Sequence, residues 1–253
     1  MPIRLSAALR PLLALVLLAL SATVAPAADA PPTPAQREAM EGVVRDYLMR
    51  HPEVIVEALE AYQAQEQTRK EKAANAAIAK SGETLFRHPM TPVSGNPKGD
   101  VTVVEFFDYQ CGYCKRSLEV MLEVMKADPK LRVVWKELPI LGPASRFAAE
   151  AAMAAAKQDK YLDFHVAVMS ARGQLTEARV VELAEKAGVD VARMRKDMRD
   201  PAIARYLDET TETALALGIT GTPGFIIGDR LVPGAIGADQ MRAMIAEVRQ
   251  AKK

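Results

Sequence analysis

The amino-acid sequence predicts an α/β fold in which a β–α–β, helical block, β–β–α order follows a separate N-terminal helical segment. Three observations predict it. Val101-Thr102-Val103-Val104-Glu105-Phe106-Phe107 and Leu131-Arg132-Val133-Val134-Trp135-Lys136-Glu137-Leu138 are short apolar runs flanking a stretch with helical spacing, which reads as strand, helix, strand. From Pro143 to about Leu217 the chain is alanine-rich and dotted with methionine, and it reads as helical throughout. Phe225 to Val232 then reads as a hairpin with Gly228-Asp229 at its turn.

Residues 1–28 read as a cleaved export signal. Arg4 and Arg10 supply positive charge, Pro11 to Leu20 is a short apolar core, and small residues follow in Ala25-Pro26-Ala27 and Ala28-Asp29-Ala30. That core is shorter than the roughly 20 apolar residues a bilayer span needs, so the expected location is the periplasm. Residues 29–83 are expected to form a helical oligomerisation and linker segment. Met40, Val44 and Tyr47 recur at helical spacing, and Ile55, Leu59 and Tyr62 do so again. His51-Pro52-Glu53 divides them, because the residue before a proline is pushed out of the helical region while proline suits a first helical position. The stripe vanishes over Gln63–Lys72, which reads as a polar spacer. A stripe without a sheet of its own must be buried, and pairing with further copies of the chain is the expected solution.

Residues 84–253 form the main domain. Pro89, Pro92, Gly95, Pro97 and Gly99 mark a turn-rich entry to the first strand, and Tyr113 to Lys126 is the first helix. The helical insertion, about 143–217, is expected to break near Gly173, Gly188 and Pro201, and a last helix runs from Ala238 to Arg249.

Composition narrows the chemistry. The formal net charge of +1 gives no reason to expect a nucleic-acid partner. The apolar content of 49% suffices for an ordinary core, and with only two cysteines the chain cannot be a disulfide-stapled scaffold. Those two stand together as Cys111-Gly112-Tyr113-Cys114, at the point where a strand enters a helix. A helix that starts at the first cysteine aims free N–H groups and the positive end of its dipole at that sulfur, which favours the nucleophilic thiolate. A structural disulfide would stabilise little across so short a loop. Zinc would need about four ligands, and His51, His88 and His165 are scattered. Capture of a soft ion such as Cu(I) by Cys111 and Cys114, with Met90, Met121 and Met125 near in sequence, remains an alternative.

Gly218-Ile219-Thr220-Gly221-Thr222-Pro223-Gly224-Phe225 resembles the signature loop of the thioredoxin superfamily, whose proline is cis and packs beside the active-site cysteines. The long separation between the cysteines and Pro223, together with Val104-Glu105-Phe106-Phe107-Asp108-Tyr109-Gln110-Cys111, is similar to the DsbA-like branch, in which a helical domain interrupts the core. The resemblance implies a thioredoxin fold and a thiol–disulfide oxidoreductase with no cofactor beyond a redox-active Cys111–Cys114 disulfide. It casts Cys111 as nucleophile, Cys114 as resolving thiol, and Glu105 as a buried carboxylate exchanging protons with Cys114. Lys136, on the adjacent strand, is expected to pair with Glu105. Thr222 and Pro223, with Gly112 and Tyr113, are expected to contact substrate peptide.

Gly112-Tyr113 replaces the Pro-His of the best-known oxidant of this branch, which implies a less oxidising site. The N-terminal helices make the chain similar to ScsC-like members. That likeness implies a homo-oligomer, a trimer by preference, isomerising the disulfides of misoxidised exported proteins. It also implies a membrane thiol reductase as partner and a link to copper tolerance. A DsbA-type dithiol oxidase would use the same residues in the opposite direction.

Overall fold

The computed structural model describes residues 31–251, so the expected export signal lies outside the described residues. The chain divides into two compact units at the Ala61–Tyr62 bond.

In the first unit, helix α1 (Pro34–Arg50) starts with a capping box. The Gln36 N–H donates to Thr33 Oγ1, and the Thr33 N–H donates to Gln36 Oε1 at 2.9 Å. It ends at Arg50 with His51 as its C-cap, and α2 (Glu53–Lys80) begins two residues after His51, so the break at His51-Pro52-Glu53 falls where expected. Within α1 no residue is buried. Met40, Val43, Val44, Tyr47, Met49, Ile55, Val56 and Leu59 are all exposed, Met49 by 74%.

In the second unit, the described elements after α2 are α3 (Gly82–Arg87), β1 (Val93–Gly95), β2 (Val101–Phe107), α4 (Gly112–Ala127) and β3 (Leu131–Glu137). The helical insertion comprises α5 (Pro143–Ala156), α6 (Tyr161–Met169), α7 (Glu177–Lys186), α8 (Val191–Asp197) and α9 (Pro201–Ala216). The chain then forms β4 (Gly224–Ile227), β5 (Arg230–Pro233) and α10 (Ala238–Ala251). The sheet has the order β1-β3-β2-β4-β5, with β2 and β3 parallel and the other neighbours antiparallel.

Successive strand residues point to opposite faces, and both faces are covered. Val103, Phe107, Val133, Trp135 and Phe225 join a core with α4, α10 and the insertion. Val104, Phe106, Val134 and Ile226 join a second core with Ile78, Leu85, Ala214 and Leu217. That double burial is why β2 and β3 read as continuous apolar runs rather than alternating ones. In α5, Ala148, Ala149, Ala151, Ala152, Ala154 and Ala155 are all buried, and their small side chains let the insertion pack closely on its neighbours.

Three features differ from the sequence expectations. The short α3 and the edge strand β1 lie in the turn-rich entry, where prolines and glycines on either side hide so brief a pattern. The insertion breaks a fourth time at 157–160, where Asp159 takes a positive φ of 59° with no glycine or proline to announce it. By compactness the second unit starts at Tyr62, ahead of position 84, because Ala74 and Ile78 of α2 are buried.

Candidate active site

Strand β2 ends at Phe107, and Asp108, Tyr109 and Gln110 carry the chain to Cys111 at the N-cap of α4. Asp108 shapes this connection. Its carboxylate, itself buried, accepts hydrogen bonds from the Gln110 N–H (2.7 Å), the Leu141 N–H (2.9 Å) and Ser145 Oγ (2.6 Å). Its carbonyl accepts from the Cys111 N–H at 3.1 Å.

Cys111 Sγ then sits between two backbone groups. It accepts from the Cys114 N–H at 3.2 Å and donates to the Thr222 carbonyl at 3.2 Å. Thr222-Pro223 is a cis peptide, and Pro223 is buried beside the half-buried Thr222. The signature loop is thereby brought against the first cysteine from far along the chain. Both cysteines are free thiols in this structure, so it shows the dithiol form. Cys111 is 6% exposed and Cys114 fully buried. Burial, reinforced by the Cys111 sulfur alongside, pushes the Cys114 thiol well up. The outer sulfur thus has hydrogen-bond support from a helix N-terminus, whereas the inner one favours its neutral form.

Gly112 and Tyr113 are exposed at the start of α4, and the Arg116 guanidinium lies 4.4 Å from the centre of the Tyr113 ring. A side chain at position 112 would find open space up to Arg116. The dipeptide is therefore surface rather than core.

Glu105 is buried, 1% exposed, and its Oε1 has no hydrogen-bond partner among the described residues. Loss of solvent, and next the electrostatic influence of Cys111, push its carboxyl up to about 8. Lys136 does not relieve it. The β2–β3 register sets Glu105 opposite Trp135 and Phe106 opposite Lys136, so Lys136 points to the other face of the sheet. There its Nζ donates to the Thr84 carbonyl and to Thr91 Oγ1, both at 2.9 Å, and lies 5.3 Å from the centre of the Tyr206 ring. Burial lowers its ammonium to about 8. The expected Glu105–Lys136 pair is thus replaced by two buried ionisable groups on opposite faces. Lys136 joins α3 to the sheet instead. Lys136→Ala is expected to lower stability by about 2–4 kcal/mol, through lost hydrogen bonds and a cavity. Chemical denaturation measures that loss, and the pH dependence of cysteine reactivity should stay unchanged.

Sequence reading missed the buried group formed by Tyr109, Glu137, Tyr161 and His165, whose members are distant in sequence. Its one local signal was a second acidic residue, Glu137, at the end of a buried strand. No group of three or more His, Cys, Asp or Glu side chains among the described residues is arranged to hold a metal ion.

A model of the DSBA-like thioredoxin domain matches residues 102–246, and a model of the copper resistance protein ScsC N-terminal domain matches residues 36–69. The crystal structure of a thioredoxin-like oxidoreductase from Silicibacter pomeroyi DSS-3 is 42% identical with a TM-score of 0.65, covering 66% of this chain and 97% of that one. Proteus mirabilis ScsC in a transitional conformation is 29% identical with a TM-score of 0.65, covering 88% of this chain and 100% of that one. Among curated relatives, a Na(+)/H(+) antiporter NhaA 1 from Salinispora arenicola is 30% identical over 155 residues, 60% of this chain but 24% of the antiporter. The chain thus spans about a quarter of the length of the antiporters it matches, and none of its described helices is long and apolar enough to cross a membrane. The cysteine-bearing helix, the cis Thr222-Pro223 loop, the inserted helices and the matched domain coincide, and the chain belongs to the DSBA-like thioredoxin family of thiol–disulfide oxidoreductases.

Proposed function

We propose that this protein is an exported, periplasmic thiol–disulfide oxidoreductase that isomerises or reduces disulfides in misoxidised proteins. The observation that carries this reading is the asymmetry of the pair: Cys111 Sγ is held by a helix N-terminus and the Thr222 carbonyl, while Cys114 is buried. The Cys111 thiolate attacks one sulfur of a substrate disulfide, forming a mixed disulfide and releasing a substrate thiolate. In isomerisation, a different substrate thiolate attacks the substrate sulfur, forming a new substrate disulfide and releasing Cys111. In reduction, Cys114 gives its proton to the Glu105 carboxylate and attacks Cys111 Sγ, expelling the second substrate thiolate. The substrate disulfide is then reduced and the Cys111–Cys114 pair oxidised, and a membrane thiol reductase is the proposed source of the electrons that restore the dithiol. Forming the mixed disulfide removes the thiolate charge that helps hold Glu105 protonated, so the carboxyl becomes more readily ionised when Cys114 needs a base.

Self-association through the N-terminal helices, as a trimer by preference, favours isomerisation over simple oxidation by presenting several sites to one substrate. The support is the exposed apolar face of α1 and early α2, with a groove of about 760 Å³ lined by Met40, Val44, Leu48, Met49 and Ile55 among others. Isolated monomers rarely leave so much apolar side chain in water. Introducing Val44→Glu and Leu59→Glu into the full chain is expected to give monomers by sedimentation. Refolding of scrambled ribonuclease should fall about tenfold or more, while reduction of a small disulfide changes by less than about threefold. Unchanged isomerase activity in a monomeric variant would overturn the link between association and isomerisation.

A further inference from the structure

We infer that Glu137 is a positioning residue for the redox site: buried in the core, it clasps the Cys111-bearing connection to the helical insertion. The inference rests on the oxidoreductase reading and assigns a role to a buried carboxyl that the exchange steps leave unused. Glu137 ends β3 on the same face of the sheet as Trp135, with Phe107 opposite it. It is 1% exposed, and one of its oxygens, Oε1, accepts from Tyr109 Oη at 3.1 Å and from Tyr161 Oη at 2.8 Å. Tyr109 lies two residues before Cys111, whereas Tyr161 belongs to α6. The clasp therefore ties the active-site connection to the insertion.

The remaining contact fixes the direction of the bonds. Tyr109 Oη is also 3.3 Å from His165 Nδ1, and Tyr109 has one hydroxyl proton to give. With that proton on Glu137, the histidine must donate from Nδ1, leaving Nε2 bare. Nε2 is buried and without a hydrogen-bond partner among the described residues. Desolvation lowers His165 to about 3, so the ring is neutral, and burial holds the Glu137 carboxyl well above the usual carboxylate range. The group's contribution is geometric: it pins Tyr109, and Tyr109 pins the segment that sets Cys111 Sγ against the Cys114 N–H and the Thr222 carbonyl. Losing it should weaken the hydrogen bonds that the dithiol form makes, and so favour the disulfide.

The test is the redox equilibrium of the full chain with glutathione, alongside the pH profile of Cys111 alkylation. Glu137→Leu is expected to shift the equilibrium about tenfold toward the disulfide, equivalent to about 30 mV. Glu137→Gln, whose amide oxygen can accept the same two bonds, should restore it to within about twofold. Tyr161→Phe, a milder change on α6, should give a shift of about threefold in the same direction. A folded Glu137→Leu protein with unchanged equilibrium and alkylation profile would overturn the clasp. So would a Glu137→Gln shift as large as that of Glu137→Leu, since the charge rather than the bonding would then matter. If Glu137→Leu does not fold, Tyr161→Phe decides alone, and no shift in it overturns the inference. A wild-type chain that does not equilibrate with glutathione at all would instead defeat the oxidoreductase reading.

Discussion

Replacing Cys111 by serine is expected to abolish exchange, lowering reduction of insulin or refolding of scrambled ribonuclease by roughly 10³-fold or more. Serine keeps the size of the side chain and can still bond the Cys114 N–H and the Thr222 carbonyl, so the fold should be undisturbed. What disappears is an ionisable sulfur, and a hydroxyl does not attack a disulfide at neutral pH. Cys114→Ser should behave differently. The buried inner thiol does not meet the substrate first, so the initial attack survives and escape by reduction is lost. Mixed disulfides should then accumulate through Cys111, and isomerisation should persist in part, because a substrate thiol can resolve them. Assays of both variants with small and protein disulfides separate the roles. Equal activity of Cys111→Ser and wild type would remove the basis for the mechanism.

Glu105→Gln carries the second large effect, in two measurements of opposite sign. If Glu105 takes the Cys114 proton as proposed, resolution of the mixed disulfide should slow by about 10²–10⁴-fold, the usual range for losing a positioned base. Stability should move the other way. Unfolded, the carboxyl ionises near 4.5; folded, it ionises near 8. Between these values the native state holds a proton that the unfolded chain releases, so native stability falls as pH rises from about 4.5 to about 8. The full effect is on the order of 3–5 kcal/mol, at about 1.4 kcal/mol for each pH unit separating the two values. Glu105→Gln removes this slope, and its unfolding free energy should exceed that of the wild type at pH 8 while matching it more closely at pH 5. Denaturation at the two pH values measures the difference. Parallel pH dependence in the two proteins would show that Glu105 is not the buried acid described above.

Much of the site was legible in the sequence because its chemistry is local. Cys111 and Cys114 lie one helical turn apart, Thr222-Pro223 carries its own backbone signature, and Glu105 stands in an unbroken apolar run. The sheet and its two covered faces were legible for the same reason, since strands buried on both sides read as apolar segments.

Lys136 was not legible, because the partner of Glu105 depends on the register between β2 and β3. A slip of one residue exchanges Trp135 for Lys136 and reverses the face. Trp135 takes the place opposite Glu105, with its Nε1 donating to Ser94 Oγ at 2.9 Å on β1, a strand the sequence also concealed. The Glu137 clasp was hidden by distance: it joins Tyr109, Glu137, Tyr161 and His165, which only the folded insertion brings together. The exposed face of α1 and early α2 was visible as a stripe, and its full extent, including Val43, Met49 and Val56, emerged only from the helices themselves.

The central claim is that Cys111 attacks substrate disulfides and Cys114 resolves the product. Incubating the full-length Cys114→Ser variant with scrambled ribonuclease at neutral pH, followed by acid quench and intact-mass measurement, tests it most directly. The expected product is a covalent adduct of one ribonuclease chain, released by dithiothreitol and mapped by peptide digestion to Cys111. Recovery of the variant at its unmodified mass, with Cys111 still fully open to alkylation, would contradict the mechanism.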